Sequence, residues 1–163
     1  WYDVRTGEPV MTYAVDEPDL QGMSSDVARA ESEFYRLPGI PTFAVIFTNY
    51  VGYRDIADII GVDIYPYNRW HLFEPWNIFS WFTILQGRWQ LWRAKRALAG
   101  RRWYGIIQAF ADNAGGHRMP TVAEFRWWEQ AFLRAGAEGV IAFAWNWPGG
   151  TSGAELIRAA WRA

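Results

Sequence analysis

The sequence predicts an α/β chain built on a parallel sheet, and three observations carry that prediction. Five short runs are mostly apolar along their length, as strands covered on both faces are: Val10–Val15, Thr42–Phe47, Ile59–Tyr65, Trp103–Phe110 and Val140–Trp145. Helix-forming stretches with recognisable stops alternate with these runs. Polar side chains recur where the apolar runs end, and parallel sheets gather their ligand groups there.

Taken in order, Val10–Val15 closes on Asp16-Glu17-Pro18, and a helix over Asp26–Leu37 is stopped by Pro38-Gly39. Thr42–Phe47 follows, then a short turn at Tyr53–Asp58 and the run Ile59–Tyr65. A long helix within Asn77–Ala99 ends at Gly100, and Trp103–Phe110 comes next. The helix Thr121–Ala135 starts at a Pro120-Thr121 boundary and ends at Gly136; Val140–Trp145 and a last helix, Gly153–Ala163, complete the chain. No linker or low-complexity stretch interrupts the pattern, so residues 1–163 read as a single domain. Five β/α units in series imply either an open doubly wound sheet or part of a (β/α)8 barrel. The open-sheet reading usually carries a phosphate loop after its first strand. Here that place holds the acidic "DEPDL", with no glycine-rich fingerprint, and it would repel an anion.

Composition narrows the function classes. Of 163 residues, 51% are apolar, enough to bury a core. Sixteen basic and 17 acidic side chains leave a formal charge of −1, and no basic face for nucleic acid emerges. The nearest approach, "RAKRALAGRR" at 93–102, reads as a helix C-terminus and its turn. Without cysteine there is no disulfide, thiolate metal site or cysteine nucleophile, and the compartment stays undetermined. No run of ~18 apolar residues encodes a membrane span. Twelve tryptophans suit either sugar-stacking platforms or large helix–sheet interfaces.

The candidate site residues stand at the run ends: Asp16 and Glu17, Thr48 and Asn49, Asp63 and Tyr65, Gln108, Trp145 and Asn146. Each has a plain structural alternative. Asp16 and Glu17 could be loop polarity, with Asp19 opening a turn. Asp63 lies inside an apolar strand, so it is either functional or paired, with Arg54 or Arg69 as structural partners. Gln108 could be a satisfied core amide, and Trp145 and Trp147 could be core. Glu124 and Glu129 with Arg126 suit a solvated helix face, and Trp127 and Trp128 suit helix–sheet packing. His71 and His117 lack a ligand cluster, so neither a metal nor another cofactor is expected.

The order of three motifs, "DEP" at 16–18, "IIGVDIYPY" at 59–67 and P-T-x-x-E-x-R-x-W at 120–128, resembles a bacterial branch of the retaining glycoside hydrolases built on a TIM barrel. That clan places its acid/base on strand four and its nucleophile on strand seven. The resemblance makes Val10–Val15 strand four and the later runs strands five to eight, and it covers nearly the whole chain as the C-terminal part of a barrel. It implies Glu17 as general acid/base on a carbohydrate, with Asp16 in place of the asparagine that holds the sugar 2-hydroxyl. Tyr65 resembles the strand-six tyrosine beside the nucleophile, and Trp145 the strand-eight floor of the sugar site. Gln108 stands where the clan keeps its nucleophilic glutamate, and an amide cannot replace a carboxylate there. Three routes remain: Asp63 as second carboxylate, the sugar's own 2-acetamido group as nucleophile, or binding without chemistry.

Five strands of a barrel would leave two edges open and one side of the interior uncovered, at Tyr13, Val15, Ile106 and the strand-eight aromatics. The chain is therefore expected to be the C-terminal portion of a longer protein. Such a chain must pair with the missing N-terminal barrel units, dimerise with a second copy of itself, or rearrange into an open doubly wound sheet.

Overall fold

A computed structural model describes residues 10–67, 78–111, 117–143 and 151–162. The chain is α/β, with a five-stranded, all-parallel sheet flanked by helices. The strands are β1 (Thr12–Asp16), β2 (Thr42–Ile46), β3 (Ile59–Ile64), β4 (Arg102–Gln108) and β6 (Gly139–Phe143), hydrogen-bonded in the order β1-β2-β3-β4-β6. Neighbours in the sheet thus follow chain order. Adjacent strands of a barrel have that order, and an open sheet accommodates it as well. A two-stranded antiparallel ribbon pairs β5 (Phe110–Ala111) with β7 (Thr151–Ser152). The helices are α1 (Ser25–Phe34), α2 (Tyr50–Tyr53), α3 (Ile78–Ala97), α4 (Val122–Ala135) and α5 (Ala154–Arg162).

By its internal contacts the chain divides into two compact units, Trp1–Asp63 with Arg93–Tyr104, and Ile64–Trp92 with Gly105–Ala163. In the first, β2 and β3 are buried at every residue, so their alternating side chains are covered on both faces. Two carboxylates brace the ends of β2. At its start Asp58 accepts from the Thr42 amide at 2.9 Å and pairs with Arg36 at 2.7 Å. Beyond its end Asp19 accepts from the amides of Phe47, Thr48 and Asn49 at 3.0, 2.7 and 2.8 Å. Helix α1 buries only Ala28 and Ser32, small residues on its inner face, and Ser24 caps it through the Val27 amide.

In the second unit α4 begins with a reciprocal capping box between Thr121 and Glu124 and ends on Gly136, which adopts a left-handed φ of 103°. Phe125, Trp128 and Phe132 form its inner face. Gly105 in β4 makes room for it: a β-carbon there would lie 2.2 Å from the Phe132 ring.

The observed elements differ from the sequence reading in four places. Helix α1 stops at Phe34 rather than Leu37, because Arg36 leaves the helix to bond Glu33 and Asp58. The turn expected at Tyr53–Asp58 is preceded by a helical turn, α2, which Asn49 caps. The run Trp103–Phe110 breaks at Ala109, whose amide bonds Phe143, and Gly153 approaches so closely that a β-carbon would sit 1.9 Å from the Ala109 carbonyl. Val15 and Ile106, expected to be uncovered, are 3% and 4% exposed, whereas Tyr13 on edge strand β1 is 41% exposed.

Gly105→Ala is expected to lower stability by about 1–3 kcal/mol through overpacking against Phe132. Denaturant midpoints measure this, and an unchanged midpoint would contradict the packing described.

Candidate functional site

The first unit brings together two of the carboxyls read from the sequence. Strand β1 becomes irregular before it ends: its register against β2 slips between Tyr13 and Val15, leaving Ala14 as the extra residue of a bulge. Strict alternation would put residues three apart on opposite faces. With the bulge, Ala14 and Val15 both turn inward, and Tyr13 Oη donates to Asp16 Oδ1 at 2.5 Å.

Glu17 follows with φ 40°, alone in the left-handed region among the described non-glycine residues. That conformation costs ~1–3 kcal/mol and persists only where the surroundings impose it. Two sets of bonds impose it here. The Glu17 amide donates to the Val45 carbonyl at 3.0 Å, and the Glu17 carbonyl accepts from the amides of Leu20 and Gln21 at 3.0 and 3.1 Å. Pro18 takes the second position of this turn, where its preset φ fits. Asp19, next in the chain, ties the same turn to the loop after β2.

So held, the Glu17 carboxyl comes into interacting reach of the carboxyl of Asp63. Asp63 lies in β3 and is only 6% exposed. Burial is the main cause that raises the Glu17 pKa above its ordinary value, and the charges of Asp16 and Asp19 raise it further; the bond to Asp63 opposes them. Two carboxyls in such contact hold a proton between them.

The same acidic field reaches two phenols. Tyr13 is pushed far up, first by burial, then by its bond to Asp16 and by the charges of Asp16, Asp63 and Glu17. Tyr50, 1% exposed, is pushed up by burial, opposed by Arg93, whose guanidinium lies 5.9 Å over its ring, and aided by Asp19 and Asp63. Arg54, one of the structural partners considered for Asp63, instead meets Asp55 at 3.8 Å and the Ala99 carbonyl at 3.4 Å. Arg69 lies outside the described residues.

The other expected site residues divide. Asp16 is exposed at the end of β1, and Asn49 is exposed with its side-chain oxygen committed to capping α2. In the second unit Tyr65 is half-buried among Phe110, His117 and Phe143. Gln108 is corrected from a substrate contact to a core amide. It is 1% exposed; its oxygen accepts from the Tyr67 amide, and its nitrogen faces the carbonyls of Tyr67, Phe110 and Arg118, which engage both of its hydrogens. Trp145 and Asn146 lie outside the described residues.

The solvated face expected on α4 is a joint instead. Glu124 binds Arg118 through both oxygens at 2.9 and 2.6 Å, Arg126 bonds the Ala160 carbonyl, and Glu129 accepts from the Trp161 indole. Trp128 is core at 1% exposure, while its neighbour Trp127 is 41% exposed. Among the described residues no three His, Asp or Glu side chains gather as a metal site would require, and no helix is long and apolar enough to cross a membrane.

Sequence reasoning missed the brace formed by Asp19. The Pro18-Asp19 pair signals a turn, but no local pattern marks a carboxylate for amides 28–30 residues away.

Since Glu17 has a raised pKa, the folded chain holds more proton than the unfolded chain just above the ordinary glutamate value, and stability falls as pH rises through that window. Glu17→Gln removes this loss. The variant is expected to gain stability relative to the native chain from acid to neutral pH, as thermal midpoints read; parallel curves would refute the buried pair.

Comparison of the chain with protein-family models, curated proteins and solved structures finds no match.

Proposed function

We propose that the Glu17–Asp63 pair is the acid–base site of a glycoside hydrolase-like barrel portion acting on an oligosaccharide or glycoside. The observation that carries this reading is the approach of the two carboxyls, with Glu17 held in a strained conformation just beyond a parallel strand. The consecutive strand order agrees with an arc of barrel strands four to eight.

The contact favours one of the routes to cleavage. Two carboxyls acting on opposite sides of a glycosidic bond stand about 5–5.5 Å apart in retaining enzymes and about 6.5–9.5 Å apart in inverting ones. A pair in mutual reach is closer than either. It works as one proton-holding unit, in which Glu17 delivers the shared proton to the departing glycosidic oxygen, leaving both carboxylates ionised. The bond from the anomeric carbon to that oxygen breaks with its electron pair passing to the leaving group. The substrate's own 2-acetamido oxygen bonds to the anomeric carbon as that bond breaks; Glu17, now ionised, then takes a proton from water, whose oxygen displaces the acetamido oxygen and restores the acid. Exposed Asp16 and Asn49 contact sugar hydroxyls.

Gln108, an amide in place of the clan's nucleophile, favours a second reading, a non-catalytic carbohydrate-binding or scaffold module.

Alkyl and 4-nitrophenyl glycosides, each with a 2-hydroxyl or a 2-acetamido group, separate the readings. Cleavage is expected only with the acetamido group. Glu17→Gln is expected to lower kcat/KM by ~10²–10⁴-fold on the alkyl glycoside and less on the nitrophenyl one, whose leaving group needs less acid assistance. Turnover untouched by Glu17→Gln overturns the acid role. Binding of sugar without turnover by the native chain establishes the second reading.

A further inference from the structure

The second unit holds a cavity of about 380 Å³ lined by Tyr67, Ile84, Arg88, Ala123, Glu124 and Trp127. That volume falls within the range of small-molecule sites and suits a ligand of one or two rings. The lining is mostly ring and aliphatic carbon: Trp127 is exposed, and Tyr67 and Ile84 supply further apolar surface.

The charges do not cancel. Glu124 is neutralised in place, since Arg118 grips both of its oxygens and Thr121 donates to it from amide and hydroxyl. Arg118 in turn lies 4.6 Å over the Tyr67 ring, so its fork is occupied on one side and its face on the other. Arg88 is different. Its guanidinium lies 5.7 Å over the Trp127 ring, and among the described residues it meets no carboxylate. An arginine stacked on an indole keeps its in-plane N–H fork for a partner, and that fork matches a carboxylate.

We propose that this cavity binds a carboxylate carried on a six-membered ring, with Arg88 taking the carboxylate and Trp127 the ring face. The shared chemistry belongs to two classes of ligand. A uronic acid presents a C–H-rich face, and a benzoate-type acid presents a π face. The inference rests on the second unit alone and is independent of the Glu17–Asp63 pair.

Isothermal titration of the intact chain with glucuronate, benzoate and glucose tests it, with indole N–H signals in ¹H–¹⁵N NMR locating the site. At least one acid is expected to bind and to shift the Trp127 signal, while glucose does not. Arg88→Gln, at an exposed position, is expected to weaken that binding roughly tenfold or more, and added salt to weaken it further. Trp127→Ala is expected to abolish the ring's share. Preference for glucuronate assigns an acidic sugar, preference for benzoate an aromatic acid, and equal binding a ring carboxylate with no selection by hydroxyls. Failure of both acids to bind at millimolar concentration overturns the proposal. Binding that Arg88→Gln leaves unchanged, with circular dichroism confirming the fold, also overturns it.

Discussion

A carboxyl buried in the middle of a parallel sheet must keep a proton or meet a partner, and Asp63 imposes that condition on everything around it. Strand β3 is covered along its whole length, so water cannot solvate the charge. The partner comes from the neighbouring turn, where Glu17 is brought to Asp63 by a bulge, a proline turn and a left-handed backbone. None of these devices would persist on its own account. Together they hold two acids in a contact that mutual repulsion would otherwise open.

The cost of that contact is borne by ordinary structural means. Asp19 gathers three consecutive amides after β2, fixing the turn that carries Glu17 to the loop that carries Asn49 and Tyr50. Asp58 does the corresponding work at the other end of β2. Acidic residues thus serve two purposes in one small region. Those facing backbone amides brace the sheet, and Glu17 is set against another carboxyl, with its pKa raised mainly by burial. Only the second arrangement offers chemistry.

Much of this was legible in the sequence. Apolar runs bounded by glycine and proline placed all five sheet strands, and Pro120-Thr121 with Gly136 marked both ends of α4, because these signals act within a few residues of themselves. The acids Glu17 and Asp63 were legible as candidates because a charge at a strand end or inside an apolar strand is costly. Their direct contact was not, because a bulge shifts register without leaving a mark in composition. Gln108 shows the opposite limit. An amide at a strand end reads as a ligand group until the backbone carbonyls around it are known. Trp127 and Trp128 are adjacent and identical in type, yet one is core and the other lines a cavity; helix rotation alone separates them.

The measurement that tests the central claim most directly is a pH titration of the side-chain carboxyl carbons of Glu17 and Asp63 by ¹³C NMR, in the native chain and in Asp63→Ala. The native pair is expected to retain one proton above the pH at which ordinary carboxylates ionise, the two signals moving together as coupled sites do. The Glu17 transition is also expected to move upward when the Asp63 bond is removed, since that bond favours the ionised form. Two independent transitions in the ordinary carboxylate range, with Glu17 indifferent to Asp63→Ala, would contradict that claim.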